Sequence, residues 1–118
     1  MKLTPSEAAF LEDLARAAAS WTSGATAAIS NPNSLIWSEN SEAWLKLSSC
    51  IRASDVQQEF ALVVSELLSG LVHSVLVSLD GGSALAETTL LTVQDSDGNE
   101  FMRFLHEFWP EYANEKKT

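Results

Sequence analysis

Apolar residues return every three or four positions along most of this chain, and a twofold alternation replaces that period only in a short stretch past the middle. Thr4-Pro5-Ser6-Glu7 reads as a helix start. The Thr4 hydroxyl accepts a first-turn N–H, Pro5 gives up nothing at the first helical position, and Glu7 reaches back to close a capping box. Phe10, Leu11, Leu14, Ala18 and Trp21 then line one face while Glu12, Asp13 and Arg16 turn away. This predicts a helix running to about Trp21 and fraying or ending at Ser23-Gly24. Ser30-Asn31-Pro32-Asn33 is a turn cluster, through the side-chain bonding of Asn and the fixed dihedral of Pro.

Two periods compete between Ser34 and Arg52. Leu45, Leu47 and Ile51 alternate with Lys46, Ser48 and Arg52 as on a half-buried strand, yet Trp44, Leu47, Ser48 and Ile51 also fit a short helix begun at Ser41. The helix is preferred and the strand stays open. Trp37 and Trp44 are expected as core anchors, because burying an indole removes a large apolar area from water. Ser54-Asp55-Val56-Gln57 reads as a second capping box, followed by Val56, Phe60, Val63, Val64, Leu67 and Leu71 at helical intervals. Ser69-Gly70 is the expected stop, with one more turn to His73 as the alternative.

Beyond that point Val75, Val77 and Leu79 alternate with Ser74, Ser78 and Asp80, and after Gly81-Gly82-Ser83 Leu91 and Val93 alternate with Thr92 and Gln94. Two antiparallel strands are predicted. Asp95-Ser96-Asp97-Gly98 is a turn, and Asn99 is placed to cap a last helix from Glu100. That helix would carry Phe101, Phe104, Leu105, Phe108 and Tyr112 on one face, Met102 and Trp109 at its margin, and Pro110 as an end or a kink. The fold class expected is α+β: mainly helical, with a small antiparallel hairpin or sheet packed on the helices. One domain over 1–118 would comprise a helical part 4–52, a helix-hairpin-helix part 54–112 and a mobile tail 113–118.

With 118 residues, 46% of them hydrophobic, the chain builds one core without a metal or disulfide staple. Cys50 stands alone, which suits a reducing compartment. Met1 to Glu7 shows no signal-peptide pattern, and the longest uninterrupted hydrophobic run, Phe60 to Val64, falls far short of the roughly 20 residues that span a bilayer. A cytoplasmic location with no membrane contact is expected.

Charge changes the picture most. The formal net charge is −9, with 16 acidic and 7 basic residues. Residues 1–52 are nearly balanced at −1, whereas residues 53–115 hold eleven acids against Arg103 alone, a net of −10. That field repels nucleic acid phosphates and anionic lipid, so neither is an expected partner. It would steer a basic protein into fast, salt-sensitive association, although an acidic surface also serves solubility.

Catalytic chemistry has few places to sit. His73 and His106 are the only histidines. His106 and Glu107, adjacent on a helix, point about 100 degrees apart and form no ready dyad. Asp95-Ser96-Asp97-Gly98-Asn99-Glu100 lacks the closing bidentate Glu of a calcium loop, since Phe104 stands there. Asp80-Gly81-Gly82-Ser83 lacks the Lys of a phosphate cradle, no Ser sits in a Gly-x-Ser-x-Gly elbow, and Cys50 has no nearby His. No enzyme, cofactor or metal is expected.

From Ser54 to Tyr112 the order of features is a long helix, then Val72-His73-Ser74-Val75-Leu76-Val77-Ser78-Leu79-Asp80-Gly81-Gly82, then Asp95-Ser96-Asp97-Gly98, then Leu105-His106-Glu107-Phe108-Trp109. This order resembles small bacterial proteins of unassigned activity. In size and acidity the chain is similar to the immunity proteins that neutralise toxin domains passed between neighbouring bacteria. The resemblance implies an inhibitor that covers the active site of a basic toxin, a nuclease for preference, and it carries no family residue onto this chain. The residues expected at the contact, from charge and aromatic character, are Asp80, Glu87, Asp95, Asp97, Glu100, Glu107, Trp109 and Tyr112. Two alternatives stand beside it. One is a self-assembling or adaptor domain, a homodimer for instance, pairing hairpin edges. The other is a hydrolase or metal-dependent enzyme built on His73, Asp80 and His106, which a separation of the two histidines beyond about 10 Å, without a pocket or metal, would end.

Overall fold

The computed structural model describes residues 2–34 and 39–115. Four α-helices carry the chain: α1 (Pro5–Ser30), α2 (Ser41–Ser54), α3 (Gln57–Leu79) and α4 (Leu105–Glu115), with short 3-10 turns at Pro32–Ser34 and Ala84–Glu87. The described parts form two compact units, one of residues 1–17 and 69–118, the other of residues 18–68.

No strand forms among the described residues, so the expected α+β class is corrected to an all-helical one. The alternation of Val75, Val77 and Leu79 is carried by the last turns of α3, where Val72, Leu76 and Leu79 face the core at helical spacing and Leu76 is fully buried. An apolar set wide enough to cover a helix on several sides satisfies both periods, and length decided for the helix. Leu91 and Val93 belong to no regular element; the only pairing there among the described residues is a single antiparallel bridge between Gln94 and Glu100. Edge-to-edge pairing of a hairpin therefore has no strands to use.

Two expected stops are passed through. Gly24 and Gly70 lie inside α1 and α3, and a Cβ at either would meet nothing within 4 Å. Glycine merely lowers helix stability there. α3 and α2 end at left-handed residues. At Gly81, with φ of 82°, the Gly81 N–H donates to the Ser78 carbonyl and the Gly82 N–H to the Val77 carbonyl, which closes α3 in a Schellman motif. Asp55, with φ of 56°, closes α2 the same way, its N–H donating to Arg52 and that of Val56 to Ile51. Ser54 is thus the last residue of α2 and not the cap of the next helix.

In the unit of residues 1–17 and 69–118, Leu11, Ala15, Leu76, Leu105 and Trp109 are buried together, flanked by Phe10, Leu14, Phe101, Phe108 and Tyr112. The capping box at Thr4 and Glu7 forms as read: the Thr4 N–H donates to Glu7 Oε1 at 2.8 Å and the Glu7 N–H to the Thr4 hydroxyl at 3.2 Å. α4 starts at Leu105 and not at Glu100, because residues 93–101 fold back on the Asp95–Gly98 turn and occupy the backbone there. The face therefore rotates: Trp109, placed at the margin, is 2% exposed, while Phe104, placed on the face, is 46% exposed. Pro110 lies within α4 without ending it, and the helix takes in residues 113–115 of the expected tail.

In the unit of residues 18–68, the segment 41–54 is helical, which settles the competing periods. Its buried residue is Ser48, whose hydroxyl donates to the Ile29 carbonyl and accepts from Arg52 Nε at 3.0 Å. Trp44 is half-buried, and Trp37 lies outside the described residues.

The stretch Gln57–Glu87 reaches a mean hydropathy of 2.0 and is long and apolar enough, by length and composition, to cross a membrane. The run-length reading missed it because Ser65, Glu66, Ser69 and Gly70 interrupt the apolar residues. Within the unit of residues 69–118, the Trp109 indole N–H donates to the Ser69 carbonyl at 2.9 Å and Leu76 is enclosed, so this end of α3 has polar and apolar protein partners.

Candidate functional site

The expected contact residues separate into two groups. The first is spent inside the fold. Asp80, at the end of α3, has a side chain 2% exposed and accepts two bonds from His106. Asp95 serves its own loop: Oδ1 accepts the N–H groups of Asp97 and Asn99, both at 3.0 Å, and Oδ2 accepts the Ser6 hydroxyl at 3.1 Å. The Asn99 N–H, more than the opposing desolvation, and then Ser6 hold its carboxyl below the usual carboxylate range. Trp109 is buried, and this corrects its expected role as an exposed anchor: its ring fills the core and its one donor is used on Ser69. Tyr112 is half-buried against the same core.

The second group is free for contact. Glu87, Asp97, Glu100 and Glu107 are exposed, as is Glu111 one turn beyond. Among the described residues no cation lies within 4.0 Å of any of them; Arg103, the one base of the segment, gives its guanidinium to the Leu91 carbonyl. Leu90 and Phe104 are large apolar side chains exposed in the same segment.

Beside these two groups stands the cluster of His73, Asp80 and His106, the trio named for a hydrolase, whose proximity the residues alone did not establish. His106 is the second residue of α4, so its backbone N–H has no partner within the helix; Asp80 Oδ2 accepts it at 2.9 Å and caps the helix from another element. The same oxygen lies 2.6 Å from His106 Nδ1. His73 on α3 completes the cluster, its ring centroid 5.8 Å from that of His106 and its plane nearly perpendicular at 85°. The signal was present in the sequence. His73 and Asp80 are seven residues apart, two helical turns, which sets them on one side of α3 once that segment is read as helix. Reading the residues after His73 as a strand hid that shared side, although the residues themselves had been named together.

Beside Asp80 lies a cavity of about 20 Å³ bordered by Thr92, Met102, Arg103 and Leu105. This is the room of one water molecule. Glu7 was also missed as more than a cap: it is 2% exposed, and its Oε2 accepts the Met102 N–H at 2.6 Å. Burial pushes its carboxyl up, but the bonds from Met102 and Thr4 outweigh this and hold it below the usual range.

Comparison of the chain with protein-family models, curated proteins and solved structures gives no match.

Proposed function

We propose that this chain is a non-enzymatic acidic binding protein of the cytoplasm that docks a cationic protein, most concretely the toxin domain of a toxin and immunity pair, of nuclease type, whose active site it covers. One observation supports the reading. Glu87, Asp97, Glu100, Glu107 and Glu111 are exposed without a cation partner among the described residues. Unpaired carboxylates of one sign are held against self-repulsion, and a surface of Lys and Arg arranged for phosphate is what relieves them. Leu90 and Phe104 take the anchoring role that Trp109 gives up.

The test uses the whole chain and the protein encoded beside it. Association rates are measured as NaCl is raised, for the natural chain and for the combined variant E87Q/D97N/E100Q/E107Q. Electrostatic docking gives a rate that falls with salt and drops by about 10-fold or more in the variant. A specific complex whose rate responds to neither overturns the reading.

A second reading, His-dependent hydrolysis, draws support from the 5.8 Å approach of the two histidine rings, well inside the separation that would have ended it. Asp80 would hold His106 as a base toward water. Turnover of activated ester or phosphodiester substrates that is lost in H73Q would favour it over docking.

A further inference from the structure

We propose that His73 and His106 form an exchangeable two-imidazole site for a zinc-like divalent transition-metal ion, with water in the remaining positions and Asp80 positioning the second imidazole.

Three features carry this. The first is spacing. With Zn–N bonds of about 2.0–2.1 Å, the centroids of two imidazoles on one ion stand about 5 to 6 Å apart. The rings of His73 and His106 are 5.8 Å apart. The second is the tautomer. A carboxylate accepts, so the 2.6 Å contact to Asp80 Oδ2 places a proton on Nδ1 of His106, and in the neutral imidazole that binds a metal the lone pair is then on Nε2. A buried carboxylate behind an imidazole is the arrangement that orients metal-bound histidines and raises their basicity. Asp80 is fixed in turn, since it also accepts the His106 backbone N–H. The third is access. His73 is exposed and the His106 side chain keeps 26% of its surface, so an ion reaches both from solvent.

The donor set decides the class of ion. Two neutral imidazoles suit zinc, copper or nickel, whereas calcium and magnesium require oxygen ligands, and the one carboxylate here is turned to His106. Among the described residues no group of three or more His, Cys, Asp or Glu gathers as a ligand set. The ion therefore keeps positions for water, binds more weakly than in a closed structural site, and offers those positions to an incoming ligand.

The experiment equilibrates the full chain, with Cys50→Ser to remove the thiol, against Zn²⁺ in competition with a chromophoric chelator. Imidazole nitrogen resonances are followed in parallel. One ion per chain is expected, with both histidine rings shifting together. H73Q, at an exposed position outside the core, abolishes binding while circular dichroism stays unchanged. D80N weakens it by about 10-fold or more through loss of the orienting carboxylate. Binding in H73Q equal to that of the parent, or a dissociation constant of the parent weaker than about 1 mM, overturns the site. Neither result bears on docking of a cationic protein, which is read from salt dependence.

Discussion

Glu7 shows how one side chain serves two levels of the structure. Its Oε1 closes the first turn of α1 on the Thr4 N–H, and its Oε2 takes up the Met102 N–H from a segment 95 residues away. Both bonds favour the ionised carboxylate, so the folded chain binds this proton more weakly than the unfolded chain does, and the sign of the pH effect follows. The stabilisation is complete above the ordinary carboxylate range near about 4.3 and is lost as pH falls through the lowered folded value. Asp95, lowered by the Asn99 N–H first and by Ser6, acts in the same direction. Urea unfolding between neutral pH and acid is therefore expected to lose stability on the acid side. E7Q, which carries no titratable group, flattens that loss without abolishing it, because Asp95 remains. E7A leaves the Met102 N–H buried without an acceptor and opens the cap, at a cost of about 2–3 kcal/mol at neutral pH. An acid limb identical in E7Q and the natural chain would refute this account.

At the scale of elements, the starts of α1 and α2 were legible, whereas the cap expected at Ser54, the start expected at Glu100 and the stops at Gly24 and Gly70 were not. A capping box is a local contract between side chain and backbone, and Thr4 with Glu7 forms as the residues state. A stop depends on whether the next turn gains more by packing than it loses in propensity. Gly70 is followed by Val72 and Leu76, which the core takes up, so α3 continues; Gly81 is followed by no such residue and adopts the left-handed geometry. The same error produced the expected hairpin and left the trio of His73, Asp80 and His106 without the helical spacing that sets His73 and Asp80 on one side of α3. Asp55 could have been read as an end rather than a start, since Asp tolerates the left-handed region. The test is substitution at the passed glycines. With open space at both Cβ positions, G24A and G70A are each expected to raise stability by about 0.5–1 kcal/mol. Destabilisation in either variant would mean that the glycine is needed for something other than helix, such as a close approach at the outward face of α3, where Leu67 and Leu71 are 68% and 62% exposed.

For the whole molecule the governing quantity is the net charge of −9, which is compensated by few ion pairs among the described residues, those of Arg16 with Glu12 and Asp13. Like charges repel over about 30 Å at 0.01 M ionic strength and over about 8 Å at 0.15 M. Adding NaCl across that range is therefore expected to raise the melting temperature of the free chain, the reverse of a fold held by surface ion pairs. E100K, in the densest acidic stretch, should stabilise the chain by about 0.5 kcal/mol or less at low salt, and the gain should fade as salt is added. The same substitution should slow association with a cationic partner. These two effects together separate docking from solubility. Carboxylates kept for solubility alone predict the gain in stability with no loss of association. Carboxylates that meet Lys and Arg on a partner predict both, because the repulsion that destabilises the free chain is the field that captures the partner.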